Sequence, residues 1–76
     1  MKHTAMKRFI DNVKTIMESR GLTVQEVADS CGMRRPNLSV ILNGREGVTL
    51  DRAERIAEAL DVDLSDLISK HPLVTS

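Results

Sequence analysis

The stretch GLTVQEVADSCGMRRPNLSVILNG, residues 21–44, has the features of two short helices joined by a tight turn. Thr23 and Glu26 stand at the spacing of a capping box, which predicts that the first of these helices begins at Thr23. Gly32 is expected to end it, because glycine readily adopts the left-handed conformation that often follows a helix. The inward residues of this helix are predicted to be Val27, Ala28 and Cys31.

The second helix of the stretch is predicted to run from about Arg35 to Leu42. Asn43-Gly44 follows it and closes the segment with residues that are typical of a helix C-terminus. Proline disfavours the helical region for the residue before it, so Arg35 is predicted to be the N-cap and Pro36 the first helical residue. The buried stripe of this helix is predicted to be Leu38, Ile41 and Leu42.

Two arginines at the start of this helix raise an electrostatic problem. Arg34 and Arg35 donate hydrogen bonds but accept none, so neither side chain can cap the free backbone N–H groups. The charge of Arg35 also opposes the helix dipole, by about 0.3–1 kcal/mol. Such a local departure from the usual rules indicates a functional site at which an external anion supplies the missing charge. The alternative is an intramolecular carboxylate, Asp29 or Glu26.

Three further helices are predicted around this pair, and no useful length of the chain alternates with the period of a strand. The first runs from about Thr4 to Ser19, Thr49 caps the fourth, and Asp63 caps a short last helix. The predicted fold class is therefore all-α, with five short helices around one core. The last helix carries Leu64, Leu67 and Ile68, some of which are expected to close the core. The residues of the other two helices expected to face inward are Met6, Phe9, Ile10, Val13, Ile16, Met17, Leu50, Ala53, Ile56, Ala57 and Leu60.

Length and composition limit the chain to one small domain. Its 76 residues suffice for a modest core, and the hydrophobic fraction of 41% is ordinary for a globular chain. Phe9 is the only aromatic residue, so the core is predicted to be aliphatic. We expect the domain to span residues 1–70. Residues 71–76, which contain a proline and no periodicity, are expected to be a mobile tail.

The composition also argues against several classes of protein. Cys31 is the single cysteine, so no internal disulfide is possible, and we interpret it as a small core residue in a reducing compartment. His3 and His71 lie at opposite ends of the chain, and neither a metal nor a cofactor site is predicted. Without a membrane span or a signal-peptide pattern, a cytoplasmic protein is expected. No enzyme activity is expected, because no catalytic group converges on a pocket.

Charge is distributed unevenly along the chain, although the net charge is zero. Residues 1–45 hold eight Lys or Arg and four Asp or Glu, whereas residues 46–76 hold three and seven. This asymmetry suggests a basic face for a polyanion and a separate acidic face. Scattered, solvated charge is the alternative.

The two helices joined by Cys31-Gly32-Met33 have the proportions of a helix-turn-helix. Across residues 6–68, the order and spacing of the chain resemble the lambda-repressor/Cro-like (XRE-type) helix-turn-helix family. This resemblance implies five helices and a recognition helix, residues 35–42, that lies in the major groove of duplex DNA. The matching residues are Leu22-Thr23, Val27-Ala28, Gly32-Met33, Leu38-Ser39, Ile41, Asn43-Gly44, Leu50, Ile56-Ala57, Ala59-Leu60, Val62, Leu64 and Leu67.

The outward side chains of the predicted recognition helix are the candidates for DNA base contacts: Arg35, Pro36, Asn37, Ser39 and Val40. Arg35 can donate two hydrogen bonds to O6 and N7 of a guanine, and Asn37 can address an adenine edge in the same way. Val40 can contact a thymine methyl group. The alternative for Val40 is a single exposed valine without a role.

Phosphate contacts are expected to surround this helix, from Thr23, Gln25, Arg34, Asn43, Gly44 and Arg45. The free amides at the start of the preceding helix form a natural anion site. Family members often have Gln or Ser at the position of Val24, where that residue contacts the DNA backbone or a neighbouring side chain. In this chain that contact is lost or moved to Gln25. As alternatives, Asn43-Gly44 is only a helix stop and Arg45 only a solvated cation of the loop.

Family members usually bind DNA as two-fold dimers, and the end of this chain offers apolar residues for such a contact. The predicted dimer interface comprises Leu64, Ile68 and Leu73. Glu26 and Asp29 are candidates for a contact with RNA polymerase, with a solvated helix face as the alternative.

The predicted function is a sequence-specific, double-stranded DNA-binding transcriptional regulator that acts as a homodimer on a palindromic operator. A repressor of phage or bacterial type, in a bacterial cell or phage-infected host, is the simplest form. An antitoxin-type or other protein-binding module on the same fold is one alternative. Another is the DNA-binding end of a longer repressor.

Overall fold

Five α-helices make up the residues that the computed structural model describes, which are 4–44 and 47–68. Within these ranges there is no strand, so the predicted all-α fold is confirmed. The first helix ends one residue later than predicted, and none of the described helices is both long and apolar enough to cross a membrane. The helices are α1 (Thr4–Arg20), α2 (Val24–Cys31), α3 (Arg35–Leu42), α4 (Leu50–Ala59) and α5 (Leu64–Leu67).

The inward stripes of the helices meet in one aliphatic core, to which Phe9 adds the only aromatic ring. Helix α2 packs against α3 and α4, while α1 packs against α3 and α5. No polar or charged side chain is buried among the described residues, so the core is held by apolar contact alone. The largest fully buried side chains are Phe9, Val13, Leu38, Ile41, Ile56, Leu60 and Leu67.

A capping box starts α2, as the sequence predicts. The backbone N–H of Glu26 donates to the Thr23 hydroxyl at 3.1 Å, and the Glu26 carboxylate accepts from the backbone N–H of Thr23 at 2.8 Å. Backbone N–H groups at a helix N-terminus have no hydrogen-bond partner within the helix, and the capping box supplies one to each of these two. The two bonds therefore fix the position at which α2 begins.

Removal of this cap is expected to weaken the fold measurably. Thr23→Ala takes away the acceptor of the Glu26 N–H, which should lower the free energy of unfolding by about 0.5–2 kcal/mol. Urea denaturation followed by circular dichroism measures the change. The Thr23→Ser variant keeps the hydroxyl and should retain nearly all of the stability. Equal stability of the alanine variant and the wild type would contradict a contribution from the cap.

The turn between α2 and α3 depends on Gly32. This residue has a φ of 71°, in the left-handed region that favours glycine. The next residue, Met33, donates its backbone N–H to the Ala28 carbonyl at 2.9 Å, which closes the end of α2. Met33 is half-buried and packs against the core. The turn thereby sets the direction in which α3 leaves α2.

The prediction that Leu50 faces the core is wrong, since 67% of this residue is exposed. Leu50 is the first residue of α4, and Thr49 caps that helix by accepting from the Arg52 N–H at 3.2 Å. A helical side chain lies over the turn that precedes its own Cα, and at the first position no such turn exists. The stripe of α4 is therefore buried only from Ala53 onward.

Two side chains of α1 bind the last part of the described chain. The Asn12 amide donates to the Leu67 carbonyl at 2.7 Å, at the end of α5. The Arg20 guanidinium donates to the Leu60 carbonyl at 2.6 Å, at the end of α4. Asp63 is the N-cap of α5 as predicted, although its side chain accepts no capping hydrogen bond. Both helix ends are thus held on α1.

Candidate nucleic-acid interface

Helix α3 runs from Arg35 to Leu42 as predicted, but its N-cap is Arg34, one residue before the predicted cap. The backbone N–H groups of Asn37 and Leu38 both donate to the Arg34 carbonyl, at 3.0 and 3.1 Å. The prediction of Arg35 as the cap is therefore wrong. Pro36 is accommodated within the first turn, where an N–H would have no partner inside the helix.

The start of α3 lacks a side-chain cap and carries two exposed guanidinium groups. Arg34 makes no capping hydrogen bond, and neither Arg34 nor Arg35 forms an ion pair within residues 4–44 and 47–68. The carboxylates considered as intramolecular partners are engaged elsewhere. Glu26 completes the capping box of α2, and Asp29 accepts from the Gln25 amide at 2.8 Å. In the described part of the chain, the positive charge at this tip is uncompensated.

The two faces of α3 differ sharply. The predicted inward residues are buried and anchor the helix against α1 and α2. The candidate base-contact residues Arg35, Pro36 and Asn37 are exposed, whereas Ser39 and Val40 are half-buried. The exposed side chains at the leading end of α3 are therefore available to an external partner. Val40 is less prominent than the sequence suggests.

Three of the six predicted phosphate-contact residues, Arg34, Asn43 and Gly44, flank this helix directly. The Thr23 hydroxyl donates to Glu26 and one N–H of the Gln25 amide donates to Asp29, so both side chains are partly engaged within the protein. Asn43 is exposed at the C-cap of α3, and Gly44 follows with a φ of 75°. Arg45 lies outside the described residues.

A groove of about 310 Å³ joins α2 and α3 to α1. Two residues of the predicted interface, Ser39 and Asn43, line this groove together with Val24 at the start of α2. Lys14 and Glu18 of α1 also line it, and sequence reasoning missed both. A weak signal was present, because Lys14 borders the inward stripe of α1, three residues before Met17. Only the packing of the three helices brings these side chains together.

A family model described as helix-turn-helix matches residues 13–67, which include the whole of α2, α3, α4 and α5. The chain belongs to this helix-turn-helix family. The resemblance to the XRE and lambda-repressor-like type is thereby confirmed, and the protein is a DNA-binding helix-turn-helix regulator. A search of curated proteins found no significant match.

The residues predicted for a dimer interface are only partly described in this helix-turn-helix regulator. Ile68, directly after α5, is 41% exposed and is one of two large hydrophobic residues exposed in the described ranges. Leu64 is half-buried and packs against the core of the same chain. Leu73 lies outside the described residues. Of the two described residues, Ile68 offers more free apolar surface.

A second cleft of the regulator, about 400 Å³, lies where the end of α2 meets α4. Cys31 borders it but is buried, and burial raises the pKa of its thiol. The thiol therefore stays protonated at neutral pH, in agreement with its interpretation as a core residue. Arg55 on the rim pairs with Asp51 at 3.2 Å. Within the described residues, no cluster of three or more potential ligands for a metal is found.

Proposed function

We propose that this protein is a sequence-specific regulator of transcription that places α3 in the major groove of duplex DNA. The observation that carries the proposal is the start of α3, where Arg34 and Arg35 are exposed without a carboxylate partner in the described residues. DNA supplies both the negative charge and the hydrogen-bond acceptors that this tip lacks. Repression by occlusion of the operator is the simplest mode of action.

Base reading is assigned to the outward residues of α3. Arg35, at the first helical position, donates two hydrogen bonds to O6 and N7 of a guanine. Asn37 reads an adjacent base, and Pro36 contributes apolar contact at the same exposed end. Ser39 and Val40, both half-buried, take part only through the portions of their side chains that reach the groove.

Phosphate contacts position the protein on the duplex. Arg34 immediately precedes the proposed base-contact residues of α3, while Asn43 and Gly44 follow the C-terminal end of that helix. At the start of α2, the anchor consists of backbone N–H groups and the second N–H of the Gln25 amide, since the Thr23 hydroxyl and the other Gln25 N–H donate within the protein. Arg45 is retained as a further phosphate contact in the loop.

A homodimer on a palindromic operator completes the proposal. A single recognition helix of eight residues reads few base pairs, and two copies related by a two-fold axis double the site. Ile68 is the preferred contact, supported by its exposure beside α5. Leu64 and Leu73 are expected to flank it. Glu26 and Asp29 are engaged in hydrogen bonds within α2, so a contact with RNA polymerase forms no part of the proposal.

Selection of bound sequences from a pool of random duplexes tests the proposal directly. The expected winner is a palindrome with a guanine near the same position of each half-site, and its affinity should fall steeply with salt. A single, non-repeated half-site would contradict the dimer. Failure to enrich any sequence, with a wild-type protein shown to be folded, would contradict sequence-specific binding.

A further inference from the structure

We propose that the groove between α1, α2 and α3 seats the sugar–phosphate backbone of DNA, and that Lys14 is its cationic contact. This inference rests on the proposed function and extends the interface to a helix outside the helix-turn-helix itself. The groove measures about 310 Å³ and is lined by Ser39 and Asn43 of α3 together with residues of α1 and α2. In the proposed interface, a strand that flanks α3 in the major groove passes these two residues.

The lining of the groove suits a deoxyribose and its phosphate. Its apolar floor is formed by buried or half-buried residues, Met17, Leu22, Val24 and Leu42. Its polar lining comprises Ser39 and Asn43 from α3 and Lys14 and Glu18 from α1. The apolar face of a sugar packs on such a floor, while Ser39, Asn43 and Lys14 donate hydrogen bonds to the phosphate oxygens and Glu18 opposes them.

Lys14 is free to make this contact. Its side chain is exposed, and it has no ion pair within the described residues. By contrast, Lys7 on the same helix is paired with Asp11 at 3.1 Å. A lysine can lay its aliphatic stem along an apolar floor while its ammonium reaches outward, which is the arrangement that this groove permits.

The local chemistry of α2 explains why a cation from α1 is needed. Val24, the first residue of α2, presents an apolar side chain to the groove. Its neighbours are neutral and partly engaged, because the Thr23 hydroxyl donates to Glu26 and one N–H of the Gln25 amide donates to Asp29. The donors that remain at this helix end, backbone N–H groups and the second N–H of Gln25, carry no full charge. Lys14, across the groove, supplies the full positive charge.

Lys14→Ala tests the inference, with Lys7→Ala as a control of equal charge on the same helix. Affinities for one selected duplex and several unrelated ones are measured over a range of salt concentrations. Lys14→Ala should weaken binding to all duplexes by a similar factor and reduce the slope of log K against log salt by about 0.9. Lys7→Ala should leave that slope nearly unchanged. Glu18→Gln, which removes a carboxylate from the same groove, should strengthen binding.

Each other outcome overturns the inference. If Lys14→Ala leaves the slope of log K against log salt unchanged, no phosphate is bound at Lys14. If Lys7→Ala weakens binding and reduces that slope as much as Lys14→Ala does, the effect is one of overall charge. Altered preference for one base would make Lys14 a base contact instead. Wild-type protein that binds no duplex even in dilute salt would overturn the proposed function as well, which separates the two failures. Thermal unfolding of each variant confirms that it remains folded.

Discussion

Arg35→Ala is expected to abolish the preference for one base pair in each half-site while the protein stays folded. The bidentate contact between arginine and guanine is worth about 1–3 kcal/mol of discrimination, roughly a 5- to 150-fold change. Arg35 is exposed and has no ion pair in the described residues, so its removal should not destabilise the domain. Affinities for the selected operator and for every single-base variant of it reveal which position loses its preference.

Arg34→Ala is the matched control for this experiment. Arg34 has the same charge and lies next to Arg35, but its proposed partner is a phosphate, so its loss should weaken all sequences alike. Arg35→Lys keeps the charge and loses the planar pair of donors, and it should also lose most of the discrimination. A base preference of Arg35→Ala that matches the wild type at every position would contradict the assignment.

Leu38→Ala is expected to cause the largest loss of stability. Leu38 is 0% exposed and lies on the inward stripe of α3, where it meets the core shared with α1 and α2. Such a substitution costs about 2–5 kcal/mol, from lost burial and from the cavity left behind. A chain of 76 residues has a total stability of roughly 4–11 kcal/mol, so a large share would disappear.

Leu50→Ala provides the same chemical change at a residue that is 67% exposed. The free energy of unfolding of the Leu50→Ala variant should stay within about 0.5 kcal/mol of that of the wild type. Urea denaturation of both variants measures the difference, and binding by Leu38→Ala should fail under conditions in which Leu50→Ala still binds. A loss of stability for Leu50→Ala as large as that for Leu38→Ala would contradict the burial of Leu38 and the exposure of Leu50.

Local signals in the sequence were sufficient for most of the fold. The Thr23 and Glu26 spacing predicted the start of α2, and Gly32 predicted its end, because capping depends on residues that are close in sequence. The inward stripe of α3 was also correct, since burial with helical spacing leaves a regular pattern. The family model over residues 13–67 confirms the helix-turn-helix resemblance.

The errors lie where local rules compete or end. Proline sterically disfavours a helical residue before it, yet Arg35 is helical, and Pro36 is tolerated after it since a proline in the first turn gives up no hydrogen bond within the helix. Leu50 matched the apolar spacing of α4 but stands at its first position, where no preceding turn covers the side chain. Periodicity alone does not distinguish the end of a helix from its middle.

The candidate site could be predicted only along α3. Arg34 and Arg35 were conspicuous because they oppose the usual chemistry of a helix start. The groove was not predictable, because Lys14 lies more than twenty residues from Ser39 and Asn43 in sequence and reaches them only through helix packing. The roles of these residues in DNA binding remain predictions that the proposed variants test.

In the proposed interface, helix α3 keeps folding and base contact on separate faces. Its buried stripe carries the folding, whereas Arg35, Pro36 and Asn37 stand in solvent and contribute little to the interior. Exchanges at these three positions should therefore be nearly neutral for the scaffold. On the proposed mode of binding, new specificities can then evolve by single steps without an unfolded intermediate, and a combinatorial library confined to these codons is a direct route to retargeted variants.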